Sequence, residues 1–267
     1  MKRIMAITLL LLTACRTPEP GLQQSATTPQ IYFLVTFDDG PSIREKYNPT
    51  LAIINQLATN DIQPNIKALF FVQTEHPRGG GTPRGRDIMR YAHEQGHALG
   101  IHSVSPRGHV AHIKQPDDEL IPELRQAQEV IRTITGSAPQ FVRPPFGACN
   151  IRTRTIYDEL GLELLMANVR AKDGVIYGFN GSLRRRSNIC KALKKLRATA
   201  DPHTVTCAVI NFHDINPYTA RHMTEYLHIL VEEARRAGFS VPDKPFCSSP
   251  EEIIRVAEAV RLPPPNR

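Results

Sequence analysis

Short apolar runs alternate with longer amphipathic segments between about residue 30 and residue 260, and this alternation limits the possible folds. The first run, Ile31–Phe37, is rich in β-branched and aromatic residues, as expected of a buried strand. Segment Asp117–Thr135 instead repeats apolar residues at helical spacing and stops at Gly136. Strands that alternate with helices of this length predict an α/β fold with a parallel sheet, most economically a closed barrel.

The N-terminus predicts export and membrane attachment. A short basic stretch precedes an apolar run, Ile4–Leu12, which is too short to span a bilayer. The run leads into Leu-Thr-Ala-Cys15, which resembles the cleavage site of bacterial lipoproteins; a plain secretory peptide is the alternative interpretation. We therefore expect a signal peptide over residues 1–14 and a lipid anchor on Cys15.

The remaining chain divides into a tether over 15–29, one domain over 30–260 and a Pro-rich tail over 261–267. The net charge of +7 suits nucleic acid, anionic lipid or an anionic cell wall equally well. The export signal selects the cell envelope, and Arg16 after the anchor favours the outer membrane. No nucleic-acid partner is expected, and the protein is expected to be a monomer.

Four further cysteines, Cys149, Cys190, Cys207 and Cys247, permit two disulfides in three connectivities in an oxidising compartment. The pair Cys190–Cys247 is our first guess. Cys207 lies in an apolar run and is equally well explained as a small buried hydrophobic residue.

Two adjacent carboxylates, Asp38 and Asp39, follow the first predicted strand. Neighbouring strand residues point to opposite faces, so both acids reach one site only if the chain bends, here at Gly40-Pro41. Crowding two like charges is costly unless a cation or a proton separates their roles. The pair therefore indicates metal-assisted hydrolysis.

Other predicted strands also lead to chemically useful residues. His102, Arg143 and His213 stand at strand ends, and Asp173 lies just past the predicted strand Leu164–Ala167. Catalytic residues of (β/α) barrels sit at the carboxyl ends of the strands. These side chains are therefore expected to share one site with the two aspartates.

Five ordered motifs over roughly residues 30–240 resemble those of the polysaccharide deacetylase family with NodB homology, carbohydrate esterase family 4. They are Thr36–Pro41, His102–Ser105, Arg143–Gly147, Asn168–Gly174 and Ile210–Asp214. The resemblance implies a distorted (β/α) barrel with seven or eight parallel strands. It also implies hydrolysis of N-acetyl groups on a polysaccharide.

By that likeness, Asp38 is the general base and Arg143 pairs with it, while His213 is the general acid and Asp173 orients it. Two further roles carried over from the family belong to Phe146, whose backbone N–H helps to bind the oxyanion, and to Ile210, an aliphatic wall of the substrate pocket.

The resemblance further implies a divalent metal, with Zn²⁺ as first choice, held by Asp39, His102 and a second histidine. Pro106 stands where the family has that histidine. Counting back from the acidic start of the next helix places it at His109, and His112 is the alternative.

The predicted function is a metal-dependent deacetylase of an N-acetylhexosamine polymer, with peptidoglycan as first choice because of the envelope tether. Pro106, and Gly174 where the family has Trp, motivate an alternative: a glycan-binding lipoprotein with weak or lost catalysis. An amidohydrolase acting on a small, non-sugar amide is a third reading.

Two other segments have two interpretations each. Segment Gln73–Arg86 is either a substrate loop or disordered. The basic run Arg184-Arg185-Arg186 is either a solvated helix face or a contact for an anionic glycan.

Overall fold

The computed structural model describes residues 28–173 and 179–261. The predicted signal peptide, Cys15, most of the tether, Gly174 and the tail beyond Arg261 lie outside the described residues. Within the described ranges, no helix has both the length and the apolar character needed to cross a bilayer.

Seven parallel strands form one curled sheet in the order β5-β4-β3-β2-β1-β7-β6. The strands are β1 (Ile31–Asp38), β2 (Leu69–Val72), β3 (Ala98–Ile101), β4 (Phe141–Val142), β5 (Glu163–Leu164), β6 (Val169–Arg170) and β7 (Thr206–His213). This sheet confirms the predicted distorted barrel, which is a half-barrel with β5 and β6 at its edges.

Helices separate the strands along the chain. They are α1 (Pro49–Thr59), α2 (Pro83–Glu94), α3 (Asp117–Thr135), α4 (Ile151–Glu159), α5 (Phe179–Ala198), α6 (Pro217–Arg221), α7 (Met223–Arg236) and α8 (Pro250–Val260). Several begin where the sequence supplies a capping side chain: Ser249, for example, accepts a hydrogen bond from the backbone N–H of Glu252. Helix α3 ends at Gly136, whose left-handed conformation (φ 80°) suits a residue without a Cβ.

The two faces of the sheet are buried differently. One face packs against α1 to α7 in the main core, which includes Phe37 of β1 and Ile210 of β7. The other face carries a smaller cluster in which Leu34 and Val209 meet Ile253 and Val256 of α8. Because strand side chains alternate, Asp38 shares the side of the sheet that carries this smaller cluster.

Two predictions about the elements need correction. Strand β6 was not predicted, and Asp173 follows this strand rather than the one before it. The disulfide guess Cys190–Cys247 is wrong, because all four described cysteines are free thiols. Cys247 is buried in the smaller cluster, whereas Cys190 lies on α5, whose buried residues belong to the main core.

Candidate active site

The predicted site residues come together at the carboxyl ends of the central strands. Asp38 is paired with His213 in the β1–β7 register, and β3 and β4 end just before His102 and Arg143. Asp39 adopts a left-handed conformation (φ 74°), which is unusual for a residue with a side chain. The chain turns there, and both aspartates line one cavity of about 620 Å³.

Asp38 is buried, and its two carboxylate oxygens accept from different donors. Arg143 Nη1 donates to Oδ1 at 2.9 Å, and Asn211 Nδ2 donates to Oδ2 at 2.6 Å. Arg143 is itself fixed, because its Nε donates to the Leu165 carbonyl at 3.0 Å and its Nη1 lies 2.7 Å from the Thr36 hydroxyl. These partners compensate for burying two charges and hold the Asp38 carboxylate in one orientation.

Three potential metal-ligand atoms face one another beside this pair. Asp39 Oδ1 lies 3.2 Å from both His102 Nε2 and His109 Nε2, and the two nitrogens are 3.0 Å apart. Ligands at zinc-bond lengths in a tetrahedral arrangement are about 3.3 Å apart, so the donor set fits a small divalent cation. Gly108, at φ 101°, lets the preceding loop turn so that His109 reaches the other two ligands.

The hydrogen bonds of His102 select the form of the ring that can bind a cation. Its Nδ1 lies 2.7 Å from the carbonyl oxygen of Arg143 and must donate to it. When the ring is neutral, the lone pair of Nε2 is therefore directed at Asp39 and His109, the arrangement typical of metal-binding histidines.

Protonation within this triad reflects burial and charge together. Burial alone would raise the pKa of Asp39, but the hydrogen bond and charge of His102 hold it well below its usual range. Burial lowers the pKa of His109. Burial also opposes protonation of His102, yet the charge of Asp38 and the hydrogen bond to Asp39 raise its pKa. Protons therefore compete with a cation for this triad.

His112, the alternative third ligand, lies outside the triad. It is fully buried, and its Nδ1 is 2.7 Å from the hydroxyl of Tyr157. Burial lowers the pKa of His112 to about 3, so the ring is neutral. Among the described residues, the one group of ligand atoms close enough to hold a metal is Asp39, His102 and His109.

His213 also lines the cavity and is held by Asp173. Asp173 Oδ1 lies 2.8 Å from His213 Nδ1, while Oδ2 accepts from the backbone N–H of His213 and from Thr219. Burial alone would lower the pKa of His213, but the hydrogen bond and charge of Asp173 outweigh it and raise the pKa to about 9. The imidazole is therefore protonated at neutral pH.

Phe146 lies in the cavity wall, with its ring 4.4 Å from that of His109 between centroids. Its φ of 63° is in the left-handed region, as for Asp39. The oxyanion role of its backbone N–H stays a prediction.

The prediction for Ile210 is wrong. Its side chain is fully buried in the main core and is absent from the cavity lining. Alternation along β7 turns Asn211 and His213 to the cavity and Ile210 to the helices. Asn211 was not predicted as a site residue, although its position two residues before His213 places it on the same face of β7.

The predicted substrate loop Gln73–Arg86 is ordered and contains the start of α2. Gln73 Nε2 donates to the backbone carbonyl of Asp39 at 3.0 Å. A second cavity of about 510 Å³ adjoins Asp39 and is lined by Gln73, His76 and Arg78.

The chain belongs to the polysaccharide deacetylase family, whose sequence pattern it matches over residues 25–165, just over half of its length. It is 27% identical over 201 residues to the peptidoglycan-N-acetylglucosamine deacetylase PgdA of Listeria monocytogenes. That match covers 75% of this chain and 36% of the relative, so the chain spans about a third of the relative's length.

Two solved structures have the same fold. The chitin deacetylase of Colletotrichum lindemuthianum superposes with a TM-score of 0.59 at 20% identity, over 84% of this chain and 91% of that one. The family 4 carbohydrate esterase of Streptomyces lividans, in complex with acetate, gives a TM-score of 0.58 at 20% identity, over 88% and 98%.

Proposed function

We propose that the protein is a metal-dependent deacetylase that hydrolyses the N-acetyl groups of an N-acetylhexosamine polymer. One observation carries this proposal: a triad of potential metal ligands, an arginine-paired carboxylate and an aspartate-held histidine meet around one cavity. Membership of the polysaccharide deacetylase family supports it. The relatives named for peptidoglycan and chitin deacetylation support the substrate class.

Asp39, His102 and His109 would hold the cation, and their nitrogen and oxygen donors make Zn²⁺ the first choice. A cation bound there supplies a Lewis acid that polarises the acetyl carbonyl and makes water easier to deprotonate.

The protein's own groups then move the protons. Asp38 accepts a proton from the attacking water, while Arg143 and Asn211 keep its carboxylate aimed into the cavity. The backbone N–H of Phe146 donates to the oxyanion as the carbonyl becomes tetrahedral. His213, protonated at neutral pH, gives its proton to the departing amine, which leaves acetate and a glucosamine unit.

Peptidoglycan is the proposed polymer, and the cell envelope is the proposed location. The predicted lipid anchor on Cys15 would tether the barrel to a bacterial membrane, with the outer membrane favoured. A membrane-tethered deacetylase meets peptidoglycan as its nearest N-acetylhexosamine polymer, and the Listeria relative is named for that substrate.

Replacing the proposed base tests the activity. Asp38→Asn keeps the shape of the side chain but cannot accept the proton, so we expect acetate release to fall by about 10²–10⁴-fold with an unchanged zinc content. Acetate is measured from peptidoglycan, chitooligosaccharide and acetylxylan, with and without added zinc. Asp87→Asn, on the exposed surface of α2, is the matched control.

Unchanged turnover in Asp38→Asn would contradict the assignment of the base. Stoichiometric zinc without acetate release from any of the three polymers would instead favour the glycan-binding alternative.

A further inference from the structure

Three cationic side chains besides Arg143 line the active-site cavity. Arg170 ends β6, Lys172 follows it in the loop that leads to Asp173, and Arg184 lies on α5. All three are exposed and line the same cavity as Asp38 and Asp39. We call Arg170, Lys172 and Arg184 the cationic wall; Arg143 also lines the cavity but is paired with Asp38.

The three consecutive arginines of α5 have different surroundings. Arg185 forms an ion pair with Glu225 of α7, and Arg186 pairs with both Glu232 and Glu233 at 2.7 Å. These two arginines therefore join helices. Arg184 faces the cavity instead, so the basic run is not one uniform solvated surface.

No carboxylate among the described side chains lies within ion-pair distance of the cationic wall. The two acids that line the cavity are engaged elsewhere, Asp38 with Arg143 and Asn211, and Asp39 with the two histidines. Three like charges around one concavity repel each other and attract an anion, more strongly than on an open surface.

The backbone also holds the wall in place. Lys172 has a φ of 59°, and it shares this left-handed conformation with Asp39 and Phe146 of the same cavity. Asn188 of α5 donates to the carbonyl of Ala171, which ties the helix that carries Arg184 to the strand end that carries the other two cations.

We propose that the cationic wall is a subsite for an anionic group on the glycan, a carboxylate or a phosphate carried on or next to the N-acetylhexosamine unit. This inference rests on the proposed function and narrows its substrate class to acidic N-acetylated glycans. Arginine binds both oxyanions through paired N–H donors, and lysine adds a point charge.

The test compares acetate release by the full-length protein from three oligosaccharides of equal length. One is neutral chitotetraose, the second is a peptide-free peptidoglycan tetrasaccharide with lactyl carboxylates, and the third is chitotetraose carrying a phosphate monoester. The variants are Arg170→Gln/Lys172→Gln and Arg184→Gln. Lys194→Gln, an exposed α5 residue outside the cavity lining, is the matched control.

We expect the parent to have a higher kcat/KM on an acidic substrate than on the neutral one. This ratio should fall about tenfold in the double variant Arg170→Gln/Lys172→Gln and stay unchanged in Lys194→Gln. Added salt should weaken the preference of the parent more than that of the variant. The second and third substrates distinguish a carboxylate from a phosphate. An absent preference, or equal losses on neutral and acidic substrates, would overturn the proposal.

Failure of the proposed function gives a different result, namely no acetate from any substrate. Calorimetric binding of the same three oligosaccharides to parent and double variant then decides the subsite: tighter binding of an acidic sugar that is lost in the variant supports it, and equal binding of all three overturns it.

Discussion

At the scale of single residues, Asp38 at the end of β1 and Asp39 directly after it have separate partners although they are adjacent in sequence. Asp38 accepts hydrogen bonds from Arg143 and Asn211, whereas Asp39 faces two imidazole nitrogens. The left-handed turn at Asp39 produces this separation, because it takes the second carboxylate off the strand. Two like charges therefore share one cavity without sharing a partner.

Replacing His109 and His112 in turn tests the proposed metal triad. In His109→Gln we expect zinc affinity to fall by at least about 10–100-fold, because losing a direct ligand should cost no less than losing a residue that only orients one. In His112→Gln we expect full zinc content but about 1–3 kcal/mol less stability, because the buried bond to the Tyr157 hydroxyl is disturbed. Zinc per protein is measured by elemental analysis and stability by urea denaturation. Zinc loss in His112→Gln alone would reverse the assignment.

Asp173→Asn tests the origin of the proton on His213. The pKa of His213 is about 9; the substitution removes the charge of Asp173, which raises it, and leaves burial, which lowers it, together with the charges of Asp39 and Asp38, which raise it. Because the reaction requires a protonated His213, the basic limb of the pH profile of kcat/KM should move from near pH 9 down toward about pH 6.5.

The surface pair Asp61–His228 offers the matched control for that experiment. Asp61 Oδ1 lies 3.1 Å from His228 Nε2; both side chains are exposed, and neither belongs to the cavity lining. Asp61→Asn should leave the profile in place. A basic limb that stays near pH 9 in Asp173→Asn would show that another group donates the proton.

Part of the site was predictable from spacing, and part was not. His109 followed from counting back to the acidic start of α3, which fixes a loop length regardless of its conformation. The pocket side of β7 was assigned to Ile210 from motif likeness, although strand alternation from His213 selects Asn211. The Arg143–Asp38 pair followed from the family resemblance. The other contacts of Arg143, and the bond from Asn211 to Asp38, depend on the register of the sheet, which one sequence does not contain.

At the scale of elements, the bounds of a helix were predicted accurately where its apolar residues recur regularly and a terminating residue marks its end. Helix α3 has the predicted limits because apolar spacing and Gly136 agree. Helix α5 begins at Phe179, whereas the sequence indicates a helix only from Ser187, because Gly181 weakens the helix propensity and the run of arginines carries no apolar periodicity. The α6–α7 break at His222 carries neither Gly nor Pro, and β6 has two residues, too few for any periodicity.

Helix α8 closes the side of the sheet that carries the smaller cluster, and neighbouring isoleucines test its contribution. Ile253 is fully buried in that cluster, whereas Ile254 is 38% exposed. Ile253→Ala should lower the free energy of unfolding by about 2–5 kcal/mol because it leaves a cavity. Ile254→Ala should change it by about 0.5 kcal/mol or less. Equal losses in urea denaturation would mean that α8 does not pack as described.

At the scale of the whole molecule, the two sides of the sheet have different roles: one carries most of the hydrophobic core, and the other carries the active-site cavity. Helices α1 to α7 cover one side and form the larger core. The other side holds the smaller cluster and, at the strand ends, the cavity with its acids, histidines and cationic wall. All the described site residues lie within 30–260, outside the predicted tether over 15–29.

Replacing the predicted anchor separates location from catalysis. In a bacterial host, we expect the parent to enter the detergent phase of a Triton X-114 partition with an acylated N-terminus, because two or more acyl chains give stable membrane attachment. Cys15→Ser should stay in the aqueous phase and release acetate from a soluble oligosaccharide at the parent rate, yet modify less peptidoglycan in the cell. Cys149→Ser keeps Cys15 and should partition like the parent. A parent without acyl chains in the aqueous phase would establish the plain secretory peptide instead, and the preference for peptidoglycan would then rest on the cationic wall.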